Sequence, residues 1–345
     1  MQIVKVCLVA IWLSFALTAY SAEAPKPRSS VIAPLATRSL LLDVASSGEG
    51  IIVVGERGHI LRSQDQGNSW RQITVPTRAT LTAAAIHSDG LGFAVGHDAT
   101  ILRTLDGGTS WRPVYYAPEE ERPLLDVYII DPQHIIAVGA YGLYLESLDR
   151  GSSWVVRGLI ARDYGENRAP ESGEEPHPDE FHLNQFSVSD TGRWYIAAEA
   201  GNLYRSDDRG VSWIRLPPPY EGSFMGVLPM AGERVVVFGL QGKLYVSADG
   251  GESWRQMETG TQATLTNALV LQDGHVLVAG YSGSILTARQ DLSEFRLTRL
   301  RQRGGISASI QLQSGELMFF GSGGMLEMPL SELKEFQRDP VSGQD

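Results

Sequence analysis

The chain has 345 residues and a formal net charge of −11, with 40 acidic and 29 basic side chains. This length fits one large repeat domain or two smaller domains. The negative balance argues against a general surface for nucleic acid or anionic membranes, so we predict no nucleic-acid partner. Cys7 is the single cysteine, which excludes a disulfide framework within the chain.

The first 24 residues have the pattern of a signal peptide. Lys5 precedes an apolar run at residues 6–19, which is too short to span a bilayer. Ala22 and Ala24 then form an Ala-x-Ala pattern, with cleavage after one or the other. We therefore expect an exported protein; an uncleaved membrane anchor is the alternative.

Five octets share the pattern Ser/Thr-x-Asp-x-Gly-x-Ser-Trp and provide the strongest signal in the sequence. Their aspartates and tryptophans are Asp65 and Trp70, Asp106 and Trp111, Asp149 and Trp154, Asp208 and Trp213, and Asp249 and Trp254. Such an aspartate can accept hydrogen bonds from the backbone of a turn, and the glycine allows positive φ. The tryptophan is expected to cover the gap between neighbouring units. One carboxylate per octet is not a cation cage, so we predict no metal site and no cofactor.

Seven units are visible when short apolar runs that end in a small residue are included. Those residues are Gly55, Gly96, Gly139, Ala198, Gly239, Gly280 and Gly321, at steps of 41, 43, 59, 41, 41 and 41. Each unit contains four short apolar stretches, and a period near 41 with four strands is typical of a propeller blade. The sequence therefore predicts an all-β, seven-bladed β-propeller over residues 25–331, with a C-terminal tail at 332–345.

Two segments lie outside the regular repeat. The step of 59 is 18 residues longer than the usual 41, which predicts an insertion loop at residues 160–181 between blades 3 and 4. Residues 31–34 precede the first unit much as residues 73–76 precede the second. We therefore predict that this N-terminal segment closes the ring as the outer strand of blade 7. The alternative assigns that strand to the segment around Phe336, which lies 41 residues after Phe295.

The octet resembles the Asp-box, or BNR, repeat. The blade pattern, seen in residues 95–96, 99–104 and the octet ending at Trp111, resembles the photosystem II stability/assembly factor family of exported propellers. The resemblance implies a non-enzymatic protein that binds a membrane protein complex or its subunits. It also implies a periplasmic location, or the thylakoid lumen if the host is photosynthetic. We expect a monomer that associates with the membrane only through its partner.

The alternative function is a carbohydrate-active propeller, either a sialidase-like or other glycoside hydrolase or a lectin. A sialidase would need an Arg-Ile-Pro motif, which the sequence lacks. Paired carboxylates would be needed for glycoside hydrolysis, and nothing in the sequence pairs the loop acids Glu56, Asp89, Asp98 and Glu199. We therefore predict no catalytic residues.

The partner-binding surface is predicted at one face of the ring. Loops between blades and turns between second and third strands share that face, and arginine and tyrosine are frequent interface anchors. The candidate residues are Arg57, Arg78, His97, Arg122, Tyr141, Tyr281, Arg301 and Arg303. Ordinary solvated loops are the alternative interpretation.

Overall fold

The computed structural model describes residues 28–48, 50–165 and 181–334. Their strands form seven sheets, one for each unit of the repeat, and the predicted seven-bladed all-β propeller is confirmed. No helix in the described part of the chain is long and apolar enough to cross a membrane. The predicted signal peptide, residues 166–180 of the insertion and residues 335–345 of the tail lie outside the described residues.

The strands of the first four blades follow one another in chain order. Blade 1 contains β1 (Leu41–Ser47), β2 (Gly50–Gly55), β3 (Ile60–Ser63) and β4 (Arg71–Ile73). Blade 2 contains β5 (Leu81–Ile86), β6 (Gly92–Gly96), β7 (Thr100–Thr104) and β8 (Arg112–Tyr115). Blade 3 contains β9 (Leu124–Ile129), β10 (Ile135–Gly139), β11 (Tyr144–Ser147) and β12 (Val155–Val156). Blade 4 contains β13 (Ala161–Asp163), β14 (Leu183–Val188), β15 (Trp194–Ala198), β16 (Leu203–Ser206) and β17 (Trp213–Arg215).

The last three blades complete the ring. Blade 5 contains β18 (Phe224–Pro229), β19 (Val235–Gly239), β20 (Leu244–Ser247) and β21 (Arg255–Gln256). Blade 6 contains β22 (Leu265–Val270), β23 (Val276–Gly280), β24 (Ser284–Ala288) and β25 (Phe295–Arg299). Blade 7 contains β26 (Ile306–Gln311), β27 (Leu317–Gly321) and β28 (Gly324–Met328), and the short helix α1 (Leu330–Lys334) follows.

The four core strands of a blade are antiparallel, and the first of them lies beside the central channel. The second strands, such as β10 and β23, are buried almost throughout because neighbouring blades cover both of their faces. Their near-continuous apolar sequence follows from this two-sided burial. We call the face that carries the turns between second and third strands the upper face, and the face that carries the octets the lower face.

The octet tryptophan packs against the preceding blade. Trp154 of blade 3 makes an edge contact with Phe93 of blade 2, with 5.8 Å between ring centroids. Gly151 of the same octet has φ +71°, and a Cβ there would lie 2.2 Å from the Phe93 ring. Trp70 makes the corresponding contact with Phe320, 6.2 Å away, across the junction between blades 1 and 7. The octet thus joins neighbouring blades as well as neighbouring strands.

The octet aspartate organises its own turn. In blade 3, Asp149 Oδ1 accepts hydrogen bonds from the backbone N–H groups of Ser152 and Ser153, each 2.9 Å away. Its Oδ2 accepts the Ser153 hydroxyl proton at 2.7 Å. The hydrogen bond from this hydroxyl, followed by that from the Ser153 backbone, lowers the pKa of Asp149 to about 2. The aspartates of the other four octets bond in the same way to the serine four residues later.

Three arginines, of which Arg103 and Arg205 are buried, link third strands to the next octet. Arg103 of β7 is 5% exposed and donates from Nη1 to the carbonyl of Arg150 at 2.7 Å. Arg205 of β16 donates to the carbonyl of Gly250 at 2.9 Å, and Arg62 of β3 donates to that of Gly107 at 2.7 Å. These three arginines are therefore structural and are unavailable to a partner on the upper face.

A second set of hydrogen bonds joins the blades around the central channel. Every first strand has a β-bulge near its upper end, and in blades 1, 3 and 4 the polar side chain after the bulge accepts a backbone hydrogen bond from the next blade. Asp43 accepts the N–H of Ala84, and Asp126 accepts that of Phe186, both at 2.8 Å. Gln185 accepts the N–H of Val227 at the same distance.

In two of these hydrogen bonds the acceptor is a carboxylic acid, and its environment disfavours the charged form. Burial raises the pKa of Asp43 to about 7, and the backbone hydrogen bonds that it accepts offset this only in part. Burial also raises the pKa of Asp126 to about 8, with a further increase from the charge of Asp43. Both residues are partly buried. At neutral pH, protonation of these acids therefore favours the folded ring.

Residues 31–34 do not form the outer strand of blade 7 that the sequence predicts. Ser30 exchanges hydrogen bonds with Val75, and the Gln72 side chain bonds the backbone of Val31 and Ala33, so this segment lies along blade 1. Blade 7 has only three strands among the described residues. The alternative closure, around Phe336, lies outside the described residues.

The insertion between blades 3 and 4 contributes a strand before it leaves the described residues. β13 pairs in parallel with β17, the outer strand of blade 4, and Asp163 accepts a hydrogen bond from Arg215 Nε at 2.7 Å. Blade 4 therefore has five strands.

The octet turn can be tested with Asp149→Ala. The substitution removes the acceptor for two backbone N–H groups and one hydroxyl, so we expect the melting temperature to fall by about 2–4 °C. Thermal unfolding followed by circular dichroism would measure it. Glu258→Ala, which removes an exposed carboxylate outside the octets, is the control for a general effect of charge loss. An unchanged melting temperature for Asp149→Ala would contradict the proposed role of the carboxylate.

The channel acids predict an unusual dependence of stability on pH. Their native pKa values lie above the unfolded value near 3.8, so the native state binds more protons than the unfolded state between about pH 4 and pH 8. The free energy of unfolding should fall as pH rises through this window. Asp43→Asn and Asp126→Asn keep an acceptor but cannot ionise, so we expect both variants to be more stable than wild type at pH 8, by on the order of 1 kcal/mol or more.

Urea unfolding at pH 5, 6.5 and 8 would measure this difference. The gain should shrink toward pH 5, and the exposed-site control Glu258→Gln should show no such trend. A wild-type protein as stable at pH 8 as at pH 5, or asparagine variants that are less stable at pH 8, would refute the predicted linkage.

Candidate functional site: the upper face

One hydrogen bond repeats in all seven blades and defines the upper face. The first residue of each turn between the second and third strands donates its backbone N–H to a carbonyl oxygen. That oxygen belongs to the residue just before the first strand, at 2.8–3.2 Å. The donors are Glu56, His97, Ala140, Glu199, Leu240, Tyr281 and Ser322. The turns and the loops between blades therefore form one continuous surface, as the sequence predicts.

Six of these turns place a non-glycine residue in the left-handed region. The residues are Arg57, Asp98, Tyr141, Ala200, Gln241 and Ser282, with φ between 51° and 58°. The next residue also has positive φ, which is the geometry of a two-residue type I′ hairpin turn. In five turns that next residue is glycine, and a Cβ at Gly242, for example, would lie 2.1 Å from the carbonyl oxygen of Thr261. The left-handed residue that precedes it points away from this contact and presents its side chain at the upper face.

The eight predicted partner-binding residues all lie on this face, in groups around individual turns. Arg57 lies in the blade 1 turn, with Arg78 in the loop between blades 1 and 2, and His97 lies in the blade 2 turn. Tyr141 lies in the blade 3 turn, and Arg122 is in the loop before blade 3. Tyr281 lies in the blade 6 turn, and Arg301 and Arg303 follow in the loop to blade 7. Among the described residues, no hydrogen bond, ion pair or ring contact joins any two of the eight, so they form a dispersed surface and not a pocket.

The local surroundings of these residues differ. Arg122 pairs with Glu120, which neutralises its charge. Arg57 lies 3.8 Å from Glu56, and its side chain is 81% exposed. In contrast, Arg301 and Arg303 are exposed and have no ion-pair partner within the described ranges. Tyr141 and Tyr281 are each about half exposed, at 50% and 51%.

The upper face is divided into two sectors of opposite charge, which the sequence analysis missed. The basic sector spans blades 6, 7 and 1 and contains Arg299, Arg301, Arg303, Arg57 and Arg78, together with Glu56 beside Arg57. The acidic sector spans blades 2 to 4 and consists of Asp98, Glu119, Glu120, Glu121, Glu199 and Glu221. The run of three glutamates in the loop before blade 3 was the sequence signal for the acidic sector.

Tyr141 belongs to a small cluster inside the acidic sector. Its ring meets the ring of His182 edge to face, with 4.9 Å between centroids. His182 Nδ1 lies 3.4 Å from a carboxylate oxygen of Glu199. The contact with His182 supports the Tyr141 side chain beside the residues that follow the insertion.

A polar groove of about 820 Å³ opens on the upper face between blades 5 and 6. Its charged lining residues are Lys243, Glu258 and Arg299. Only one of them is a carboxylate, so the groove lacks the acid pair that glycoside hydrolysis needs.

In the central channel, two acids and a tyrosine come together. Asp43 and Asp126 interact electrostatically, and the charge of Asp126 adds to the effect of burial in raising the pKa of Tyr128. Such an arrangement could in principle serve acid–base chemistry. However, Gln185 occupies the same position in blade 4 and makes the same bond to the next blade without a charge. The hydrogen bonds therefore favour a structural role for the two acids.

No cluster of three or more histidine, cysteine, aspartate or glutamate side chains in the described part of the chain is arranged to hold a metal ion. The five octet aspartates are engaged within their own turns, each on the lower face.

No family model matches the chain, and no curated protein matches it in sequence. The fold, however, is similar to solved structures. One is YCF48 from Cyanidioschyzon merolae, with a TM-score of 0.67 and 16% identity over 88% of this chain and 99% of that chain. Another is YCF48 bound to D1 peptide, with a TM-score of 0.66 and 14% identity over 88% of this chain and 98% of that chain. A streptogramin B lyase structure has a TM-score of 0.68 and 12% identity over 84% of this chain and 93% of that chain. At these identities the similarity establishes a shared propeller fold, in which both a peptide-binding protein and a lyase are found.

Proposed function

We propose that the protein is an exported, non-enzymatic propeller that binds a membrane protein complex or one of its subunits and supports its assembly or stability. The observation that carries the proposal is the upper face, where unpaired arginines and half-exposed tyrosines are spread over a broad surface. Arginine and tyrosine are enriched among residues that dominate interface energies. The fold shared with YCF48, which has been solved with a D1 peptide bound, supports a peptide or protein ligand for this chain.

The charge division suggests how a partner would be oriented. Complementary charge favours productive encounters and penalises reversed orientations by like-charge contacts. A partner with an acidic segment would contact the basic sector around Arg301 and Arg303. Its basic or neutral part would lie over the acidic sector around Tyr141. Because Arg122 is already paired with Glu120, we assign it a smaller contribution than the sequence alone suggests.

The runner-up function is a carbohydrate-active propeller. The single observation in its favour is the channel group of Asp43, Asp126 and Tyr128. This function would require oligosaccharide hydrolysis or binding that Asp126→Asn abolishes without unfolding the ring.

The proposal can be tested by affinity purification from detergent-solubilised membranes. We expect wild-type protein to recover a defined set of integral membrane polypeptides. A face variant combining Arg57→Ala, Arg301→Ala and Arg303→Ala should recover them at least ~10-fold less, because interface arginine anchors commonly contribute more than about 1 kcal/mol each. The matched control combines Arg71→Ala, Arg112→Ala and Arg209→Ala, which removes three exposed arginines away from the upper face.

Quantitative mass spectrometry of the three eluates would decide between the outcomes. Equal recovery by wild type and the face variant would show that the upper face is not the binding surface. Equal losses in both triple variants would indicate a nonspecific charge effect and would also count against the proposal.

A further inference from the structure

The outer edge of blade 1 already holds an extended segment of the chain. Ser30 donates its backbone N–H to the carbonyl oxygen of Val75 at 2.8 Å, and its hydroxyl accepts the N–H of Val75 at 2.9 Å. The Gln72 side-chain amide accepts the N–H of Ala33 at 2.7 Å and donates to the carbonyl oxygen of Val31 at 2.9 Å. The segment therefore runs antiparallel to β4 and is recognised mainly through its backbone.

Two further contacts define the amino-terminal end of this blade 1 site. Arg78 Nε donates to the carbonyl oxygen of Ser29 at 2.8 Å. Ser30 is only 6% exposed, and its Cβ would lie 3.3 Å from a Cβ added to Gly58 of the upper turn. Because Ser30 is buried against this turn, its position suits a small side chain.

Blade 5 repeats the residues that receive the segment in blade 1. The outer-strand glutamines Gln72 and Gln256 have the same register against their third strands. The loops that follow also match, since Thr77 and Thr261 each accept the backbone N–H of the alanine two residues later. The equivalent pairs are Gly58 and Gly242, Gln72 and Gln256, Val75 and Thr259, Thr77 and Thr261, and Arg78 and Gln262. In the described outer strands of blades 2, 3, 4 and 6, the glutamine is replaced by Pro113, Val156, Arg215 and Leu297.

In blade 5 the matching residues line an open groove. All five border the polar groove of about 820 Å³ between blades 5 and 6, and both of these blades have their four strands. Gln256 and Gln262 are exposed, and their side chains make no hydrogen bond to any described residue. Thr259 is 7% exposed, yet its backbone N–H and C=O also lack a partner within the described ranges. Because buried backbone groups without hydrogen bonds are destabilising, an added backbone would gain from pairing with Thr259.

Two cations lie at the upper end of the groove. Lys243 follows the blade 5 turn, and Arg299 ends the outer strand of blade 6. Arg299 donates from Nη2 to the carbonyl oxygen of Gly260 at 3.1 Å, and neither cation is in an ion pair with a residue that the structure describes. In blade 1 the amino-terminal end of the bound segment, at Ser29, lies at the corresponding end. An acidic side chain at that end of a ligand would therefore meet complementary charge.

We propose that this groove binds an extended segment of a partner polypeptide in the way that the blade 1 edge holds residues 29–33. The segment runs antiparallel to β21, places a small residue against Gly242, and carries an acidic residue on the amino-terminal side of the small one. Thr259 and Gln256 bond its backbone. This inference rests on the proposed function and deepens it, because it names the form and chemistry of the part of the partner that is bound.

The proposal can be tested with the peptide fluorescein-Gly-Gly-Asp-Ser-Val-Thr-Ala-amide, in which Asp-Ser-Val-Thr-Ala takes the place of residues 29–33. We expect saturable binding to the full chain in fluorescence anisotropy. Gln256→Ala should weaken binding at least ~10-fold, since it removes two hydrogen bonds to the peptide backbone. The control Gln302→Ala removes an exposed glutamine outside the groove and should leave the affinity unchanged. Equal affinities for the two variants would contradict the proposed site.

Methylation of single peptide N–H groups tests the backbone pairing on the wild-type chain. The N–H groups of Ser30 and Ala33 donate hydrogen bonds in blade 1, whereas that of Ile32 has no acceptor among the described residues. N-methylation at the serine or the alanine of the peptide should therefore weaken binding at least ~10-fold, and N-methylation at the threonine should change it less than ~2-fold. The same effect at all three positions would overturn the proposed mode of binding.

Two results would identify the chain itself as the occupant of the groove. If another segment of the same chain fills the groove, the full chain will not bind the peptide. If the N-terminal segment of a second copy fills it, light scattering will show a dimer that Gln256→Ala dissociates. We expect a monomer that binds the peptide, and either of the other results would overturn the proposal.

The membrane purification described above separates this inference from the proposed function. If the wild-type chain recovers membrane polypeptides but does not bind the peptide, this inference fails and the proposed function stands. If the chain binds the peptide but recovers no membrane polypeptide, the proposed function fails and the groove remains a peptide site.

Discussion

The structure depends on contact between neighbouring blades, because a four-stranded sheet of this size cannot bury both of its faces alone. The octet makes this contact specific. Its glycine allows the turn to lie directly against the preceding blade, and its tryptophan then covers the remaining gap. At the junction of blades 2 and 3, a single added methyl group on Gly151 would collide with Phe93. Blades 6 and 7 lack the octet, and residues such as Phe295 and Leu333 fill the corresponding space with ordinary apolar packing.

Much of the fold could be predicted from the sequence because each repeat contains the residues that form a specific turn, in addition to apolar strands. An aspartate, a glycine and a tryptophan at fixed spacing have few other structural explanations. Ring closure could not be predicted in the same way. Residues 31–34 are compatible with the edge of any outer strand, and the choice of blade 1 is made by Ser30 and Gln72 through hydrogen bonds. Contacts of this kind, between residues about 40 positions apart and without periodic spacing, leave no pattern in a single sequence.

The candidate site shows a similar division. Its location followed from the order of strands within a blade, since alternate connections must emerge on the same side of a sheet. Its electrostatics did not follow, because the arginines and tyrosines alone do not define the charge of the face, and the glutamates in the same loops form an acidic sector. The sequence also did not predict that Arg122 pairs with Glu120, or that Arg103 and Arg205 are buried. An arginine count therefore overstates the basic character of this surface, and the unpaired residues near blade 7 carry most of it.

The left-handed turns constrain how the upper face can diverge among related sequences. A side chain branched at Cβ is strongly disfavoured at φ near +55°, so valine, isoleucine and threonine should be rare at the six positions that include Arg57 and Tyr141. Charge, aromaticity and length can still change there at little conformational cost. The loops between blades have no such restriction. Partner preference would therefore evolve most freely in those loops. The turns supply six outward-pointing positions whose backbone conformation stays the same.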